Sequence, residues 1–200
     1  DNWLPYYIAA LGQVMGSMLK LNAFGRVLCM RALFGLISIL GIVGFYYLVK
    51  DLTRNKTVTF ISVLLYSTSI PIILHFRSIY YVALIPTFVV GTLLFYRKTV
   101  EKKSWKCCFI FIISATLLFH SLFLHFFIML FSIAVIYFIF DINKENIKFF
   151  LVSLICIVFL TLPWWIYQRS FLNQVETNFF SNKEYFFKTI MGYMWQIQAY

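Results

Sequence analysis

Arg77 is the only full charge in residues 57–96, a stretch of forty residues. Its guanidinium is a permanent cation with a planar fork of N–H donors that fits phosphate oxygens. His75, Tyr80 and Tyr81 lie within four residues of it and add aromatic rings and hydroxyl groups. A lone cation in an apolar stretch indicates a functional site, here one for an anionic amphiphile. The alternative is that Arg77 is a solvated turn residue and the tyrosines form an interfacial aromatic belt.

The composition indicates that these residues lie in a membrane protein. The chain is 62% hydrophobic and 12% charged, with a mean hydropathy of +0.85. A soluble domain of 200 residues cannot bury that much apolar surface, so the surrounding solvent is lipid. The net charge of +10 lies in short segments between apolar runs, where it indicates membrane topology and not nucleic-acid binding.

The apolar runs predict an all-α, polytopic helical bundle with about six membrane spans in one transmembrane domain, residues 1–200. As a single helix, residues 57–96 would extend about 60 Å, twice the thickness of the hydrocarbon core, so they must form two spans with Arg77 near the turn. We expect an external interfacial helix at residues 1–24 and an external loop at residues 168–188. The predicted spans lie near residues 27–49, 57–74, 79–96, 107–119, 122–140 and 149–167.

Positive charge predicts which ends of the spans face the cytoplasm. Three short loops carry ten of the 17 Lys and Arg residues, whereas the two tight turns on the other side carry only Arg77. Basic short loops stay in the cytoplasm, which puts Arg77 on the external face. The loop cations are Lys50, Arg54 and Lys56, then Arg97, Lys98, Lys102, Lys103 and Lys106, and finally Lys144 and Lys148.

His120 and Arg31 are the other candidate substrate-binding residues. Residues 107–140 contain no Asp, Glu, Lys or Arg, yet as helix they extend only about 51 Å, short of two full crossings. The turn near His120–Ser121 should therefore lie in a recess below the external surface. A structural histidine is an equal alternative for His120, and Arg31 would otherwise snorkel to the interface.

Two further patterns concern packing and cofactors. Gly12 and Gly16 form a G-x-x-x-G pair that predicts close packing of the first helix against another, although chance produces the same pattern equally well. The four cysteines have no metal-ligand spacing with histidine. No metal site and no cofactor are therefore predicted, and the sequence leaves a divalent metal open.

Six short segments, in order and at matching intervals, resemble motifs of one family of membrane enzymes. They are W-L-P-Y-Y at 3–7, G-R and R-A-L-F-G at 25–35, L-V-K-D-L at 48–52, H-F-R-S-I-Y at 75–80, F-H-S at 119–121, and L-P-W-W and Q-R at 162–169. This series resembles the GT-C glycosyltransferases, such as protein O-mannosyltransferases and the lipid A aminoarabinose transferase. The corresponding family motifs are P-L-Y-Y, R-L-x-S-A-L-F-G, a basic cytoplasmic exit, Q-x-A-R-x-Y, T-H-Y and P-W. This chain has one extra residue between Arg77 and Tyr80.

The resemblance implies an integral-membrane enzyme that transfers a sugar from a polyprenyl-phosphate donor to an acceptor at the external face. Arg77, with Arg31 or His120, would stabilise the charge of the leaving phosphate. A carboxylate would act as base on the acceptor hydroxyl, and Asp1 is a candidate for it. Because the chain begins at Asp1 and ends within an apolar run, we expect it to be a fragment whose main catalytic acid lies upstream.

The resemblance also implies partners and a location. The expected partners are membrane lipid, the polyprenyl-phosphate sugar, and a glycan, lipid or protein acceptor. The expected location is a prokaryotic plasma membrane, with several spans and the active face outside.

A transporter or lipid flippase for an anionic amphiphile is the main alternative, and a non-catalytic membrane scaffold is another. Transporters place their binding groups near the midplane, on Gly- or Pro-interrupted helices and often in repeats. Here the candidate polar residues gather at one edge, and no repeat is visible. A scaffold would leave Arg77, His75 and His120 far apart.

Overall fold

The computed structural model describes residues 3–69, 72–73, 83–141 and 143–179, with side chains as far as Ile166 apart from that of Lys144. All regular secondary structure in these residues is helical, so the predicted all-α class is confirmed. The helices are α1 (Trp3–Met18), α2 (Ala23–Thr53), α3 (Lys56–Thr68), α4 (Ile85–Lys102), α5 (Trp105–Ser121), α6 (Phe123–Ile136), which continues as a π-helix (Tyr137–Asp141), and α7 (Lys144–Phe179).

Three helices in the described part of the chain are long and apolar enough to cross a membrane. They are Ala23–Thr53, Phe123–Asp141 and Glu145–Ile166. Only 22–28% of each apolar stretch is buried inside the protein, so most of its surface needs a lipid environment. The predicted membrane class is supported, but six spans are not established. α3 has 13 residues and α5 has 17, both fewer than the roughly 20 residues of a typical span. α4 has 18 residues, but its last turn is charged.

Both ends of α2 follow from local sequence. Asn22 caps its first turn by accepting a hydrogen bond from the backbone N–H of Gly25 at 2.8 Å. At the other end Arg54 has a left-handed φ of 51°, and its N–H donates to the carbonyl of Lys50. The helix therefore starts before the predicted span at 27–49, and Arg31 lies inside it.

α1 packs closely against the first half of α2. A Cβ atom added at Gly12 would lie 2.6 Å from Met30 Cα, and one added at Gly16 would lie 2.9 Å from Arg26 Cα. These distances are too short for a side chain, so the two glycines are what allow the backbones to meet. The two contacts run in opposite directions along the chain, which makes α1 and α2 antiparallel. The close packing predicted from G-x-x-x-G is confirmed.

α4 packs parallel to the second half of α2. Thr87 Oγ1 donates to the carbonyl of Ile37 at 3.1 Å, and Thr87 also fills the space beside Gly41. Further along both helices, Arg97 Nη2 donates to the carbonyl of Asp51 at 3.5 Å. α3 runs antiparallel to α2 and so leads the chain back toward the level at which α4 begins.

α5 lies between α4 and the first part of α7. Its antiparallel contact with α4 includes the rings of Tyr96 and Phe111, whose centroids are 5.8 Å apart. Its parallel contact with α7 includes Cys108 Sγ and Ser153 Oγ, 3.2 Å apart and buried. These two polar side chains are therefore paired within the bundle.

The chain divides into two compact units, residues 1–157 and residues 158–200. The single transmembrane domain predicted for residues 1–200 stays a prediction. α7 extends from the first unit into the second. All the site contacts described below lie within the first unit.

Candidate functional site

The three basic segments meet at one end of the helices. Arg97 Nη2 reaches the carbonyl of Asp51, which joins the end of α4 to the end of α2. The Lys103 ammonium pairs with the Glu145 carboxylate, which joins the connection between α4 and α5 to the start of α7. We call residues 50–56, 97–106 and 141–148 the basic end. Its common location agrees with the prediction that all three segments lie on one side of a membrane.

Accessibility labelling tests this arrangement directly. In a background with the four native cysteines replaced by alanine, single cysteines at 54, 101 and 144 should be protected in sealed cells, since the basic end is expected in the cytoplasm. Cysteines at 77 and 178 should react with an impermeant reagent from outside. Labelling of position 101 in sealed cells would overturn this orientation and every assignment that depends on it.

A cavity of about 500 Å³ opens at the basic end between α2, α4 and the end of α6. We call it the basic-end cavity. Its walls are mostly apolar, and a few polar groups line it close to the loops. The apolar residues are Leu48, Leu52, Leu93, Val100, Ile136 and Phe140, and the polar ones are Tyr96, Arg97, Glu101 and Asp141.

Asp141 is held at this cavity by a small polar network. Its Oδ2 accepts a hydrogen bond from Tyr96 Oη at 2.9 Å, and its backbone carbonyl accepts one from Asn146 Nδ2 at 2.9 Å. The π-helix that ends at Asp141 is fixed by Tyr137, whose ring stacks on Phe150 with centroids 4.4 Å apart. Such π-helical turns are frequent at functional sites.

Arg97 is the only cation among the described residues that line the basic-end cavity. Its Nη2 forms an ion pair with Glu101 Oε1 at 2.8 Å, one helical turn further along α4. Its Nε is buried and has no hydrogen-bond partner among the described residues.

A second cleft of about 660 Å³ adjoins the first and shares Glu101 with it. Its remaining lining comes from the end of α2 and the start of α3, and most of these residues are basic. They are Lys50, Asp51, Arg54, Asn55 and Lys56. The mouth of the basic-end cavity therefore lies next to three additional cations.

Only two of the six substrate-binding residues predicted from the sequence can be placed. Arg31 is exposed on α2, and His120 is half-buried in the last turn of α5, with its ring edge-on to Phe119 at 5.3 Å. The other four predicted residues, and the candidate catalytic residue Asp1, lie outside the described residues. The four are His75, Arg77, Tyr80 and Tyr81.

The helix that carries His120 ends within the thickness of a bilayer. α5 has 17 residues, about 25 Å, against about 30 Å for the hydrocarbon core. Leu122 then adopts an extended conformation, with φ −157° and ψ 107°, and α6 begins at Phe123. This break lies beside the turn predicted at His120–Ser121, and α5 runs to it from the basic end.

The sequence pattern does not indicate a site at Tyr96, Arg97 and Asp141, because it places them at span ends and among the loop cations. One signal was present, because Asp141 is the only acidic residue between Glu101 and Glu145 and closes a long apolar run. A lone carboxylate at the end of a span needs a partner. Its pairing with Tyr96, 45 residues earlier in the chain, could not be read from local sequence.

Comparisons of the chain with protein-family models, curated proteins and solved structures found no match. The fold and composition define an all-α protein whose described residues include three helices long and apolar enough to cross a membrane. The resemblance to GT-C glycosyltransferases therefore depends on the short motifs in the sequence.

Proposed function

We propose that this protein is a multi-pass membrane glycosyltransferase that transfers a sugar from a polyprenyl-phosphate donor to an acceptor at the face opposite the basic end. The observation that carries this proposal is the helix break at Leu122. It ends α5 after about 25 Å and leaves His120 half-buried at the end away from the basic residues. The recess that we propose beside this break would suit a substrate whose phosphate meets protein cations while its prenyl chain stays in lipid.

The proposed chemistry is displacement at the anomeric carbon of the donor sugar. The acceptor hydroxyl oxygen forms the new bond to this carbon, the bond to the phosphate oxygen breaks, and a carboxylate takes the hydroxyl proton. Polyprenyl phosphate leaves with the additional negative charge. Arg77, assisted by Arg31 or His120, stabilises that charge by hydrogen bonds that strengthen as it develops. Asp1 is a candidate base, together with any acid that precedes it in the full-length protein.

The orientation proposed for this enzyme places the basic end in the cytoplasm of a prokaryotic cell and the sugar-transfer site outside. Two observations support it. The three basic segments lie together, as the positive-inside rule requires of loops on one side. The low burial of the three long apolar helices is what a lipid environment would require.

A lipid flippase or transporter for an anionic amphiphile is the second candidate, and the basic-end cavity favours it. That cavity combines apolar walls with a cation, at the end opposite His120. A protein that moves an amphiphile between leaflets opens its binding site to each face in turn. A transferase needs a donor position at the face where transfer takes place.

Reconstitution separates these two functions. The full-length protein is placed in proteoliposomes with radiolabelled polyprenyl-phosphate hexose or pentose and a mixed glycan, lipid and peptide acceptor pool. A transferase should release polyprenyl phosphate and label an acceptor. A flippase should move the intact donor between leaflets without release. Movement without release, with every donor tried, would exclude the proposed transferase.

A further inference from the structure

The basic-end cavity has the size and polarity of a lipid-binding site. Its volume of about 500 Å³ is typical of sites for small amphiphilic molecules. Leu48, Leu93, Ile136 and Phe140 form an apolar wall across three helices. The polar groups lie where these helices give way to the loops, which is the depth at which a lipid headgroup meets its chains.

The first group in this cavity that can bind a ligand is the Arg97 guanidinium. Both contacts of its guanidinium with the described residues use Nη2, one to Glu101 and the other, at 3.5 Å, to the backbone of Asp51. Arg97 lines the cavity and its side chain is 33% exposed, so its remaining accessible N–H groups can donate to a ligand. This geometry favours a ligand that brings an oxygen acceptor, and a phosphate oxygen is the strongest partner for a guanidinium.

The second group in this cavity that can bind a ligand is the Asp141 carboxylate. Its carboxylate accepts one hydrogen bond, from Tyr96 Oη, and no described cation lies within ion-pair distance of it. Because Glu101 already neutralises Arg97, the cavity lining carries one negative charge in excess. A purely anionic headgroup would leave this charge uncompensated, whereas a ligand ammonium would pair with it.

We propose that the basic-end cavity binds a membrane phospholipid with a primary-amine headgroup, such as phosphatidylethanolamine. The phosphodiester accepts from Arg97, the ammonium donates to Asp141, and one chain lies along the apolar wall. The adjoining cleft, which shares Glu101 with this cavity, adds Lys50, Arg54 and Lys56 nearby. This site is at the opposite end from the proposed sugar-transfer site and takes no part in transfer.

Lipid selectivity of the purified full-length protein tests this proposal. Retention of phosphatidylethanolamine, phosphatidylcholine and phosphatidylglycerol with identical chains is compared by native mass spectrometry over a lipid titration. Phosphatidylethanolamine should bind about tenfold more tightly than either of the others, since only it offers both phosphate and N–H donors. Methylation removes the donors from choline, and glycerol has no positive charge.

Two substitutions test separately the ammonium contact with Asp141 and the phosphate contact with Arg97. Asp141→Asn keeps an oxygen that accepts from Tyr96 and removes only the charge, so the preference for the amine lipid should disappear. Arg97→Gln should weaken all three lipids about tenfold. Lys98→Gln is the matched control, because Lys98 lies on the same helix with its Nζ over the Tyr47 ring, away from the cavity.

The wild-type ranking keeps the proposal open to refutation even if a variant fails to fold. Equal binding of phosphatidylglycerol and phosphatidylethanolamine would show a site for phosphate alone and overturn the assignment of Asp141. Equal binding of phosphatidylcholine would do the same. Loss of lipid binding in Lys98→Gln to the extent seen in Arg97→Gln would overturn the role of the cavity.

Discussion

Replacement of Arg77 by alanine in the full-length protein should lower sugar transfer by about 10²–10³-fold, the usual effect of removing one group that stabilises developing charge. Arg77 is the only full charge in residues 57–96, and the family resemblance assigns it to the donor phosphate. The loss should affect the rate with saturating donor and not only acceptor affinity. The measurement is release of polyprenyl phosphate by the reconstituted protein.

Three companion variants make this experiment specific. Arg77→Lys should restore activity only in part, because an ammonium lacks the planar fork of the guanidinium. Arg54→Ala, a cation of the basic end, is the matched control and should leave transfer unchanged. His120→Ala should produce a milder defect than Arg77→Ala if its ring orients the donor, and no defect if it is structural. Near-normal transfer by Arg77→Ala would mean that another cation holds the phosphate, with Arg31 the next to test.

Substitution of Gly12 by alanine should destabilise the folded protein by about 1–3 kcal/mol, the usual cost of overpacking a closed contact. The added Cβ would lie 2.6 Å from Met30 Cα and 2.9 Å from Met30 N, and these are backbone atoms that cannot rotate away. The thermal unfolding midpoint is measured in detergent. Limited proteolysis then tests whether α1 becomes more sensitive to cleavage.

Gly35→Ala is the matched control, since a Cβ added at Gly35 meets nothing within 4 Å. It should keep or slightly raise the unfolding midpoint, because alanine favours helix over glycine. If both variants melt at the same temperature, the contact between Gly12 and Met30 does not hold α1 in place.

The sequence predicts those features of this fold that depend on local pattern. Overall apolarity predicts helices in lipid, the spacing of Gly12 and Gly16 predicts a close helix pair, and the apolar run around His120 predicts a turn. The helix break at Leu122 lies next to that turn. These features are predictable because each depends on residues within one or two helical turns of one another.

The basic-end cavity could not be predicted in the same way. It depends on Tyr96 meeting Asp141 and on Arg97 reaching Asp51, contacts between residues 45 and 46 positions apart. Hydrophobic periodicity specifies which face of a helix is apolar but not which helix will cover it. Positive charge at a loop likewise specifies a side of the membrane, and it does not distinguish a topology signal such as Lys98 from a cavity-lining group such as Arg97.

The seam between α2 and α4 has a consequence for biosynthesis. The hydrogen bond from Thr87 to Ile37 joins residues 50 positions apart, whereas α1 and α2 meet through residues close in the chain. The chain leaves the ribosome from its N-terminus, so α1 can pack against α2 as soon as both are made. Gly41 can contact Thr87 only later, after α3 and the start of α4 have been synthesised. A nascent chain stalled after α3 would therefore expose the surface of α2 around Gly41, which chaperones and membrane proteases could then bind.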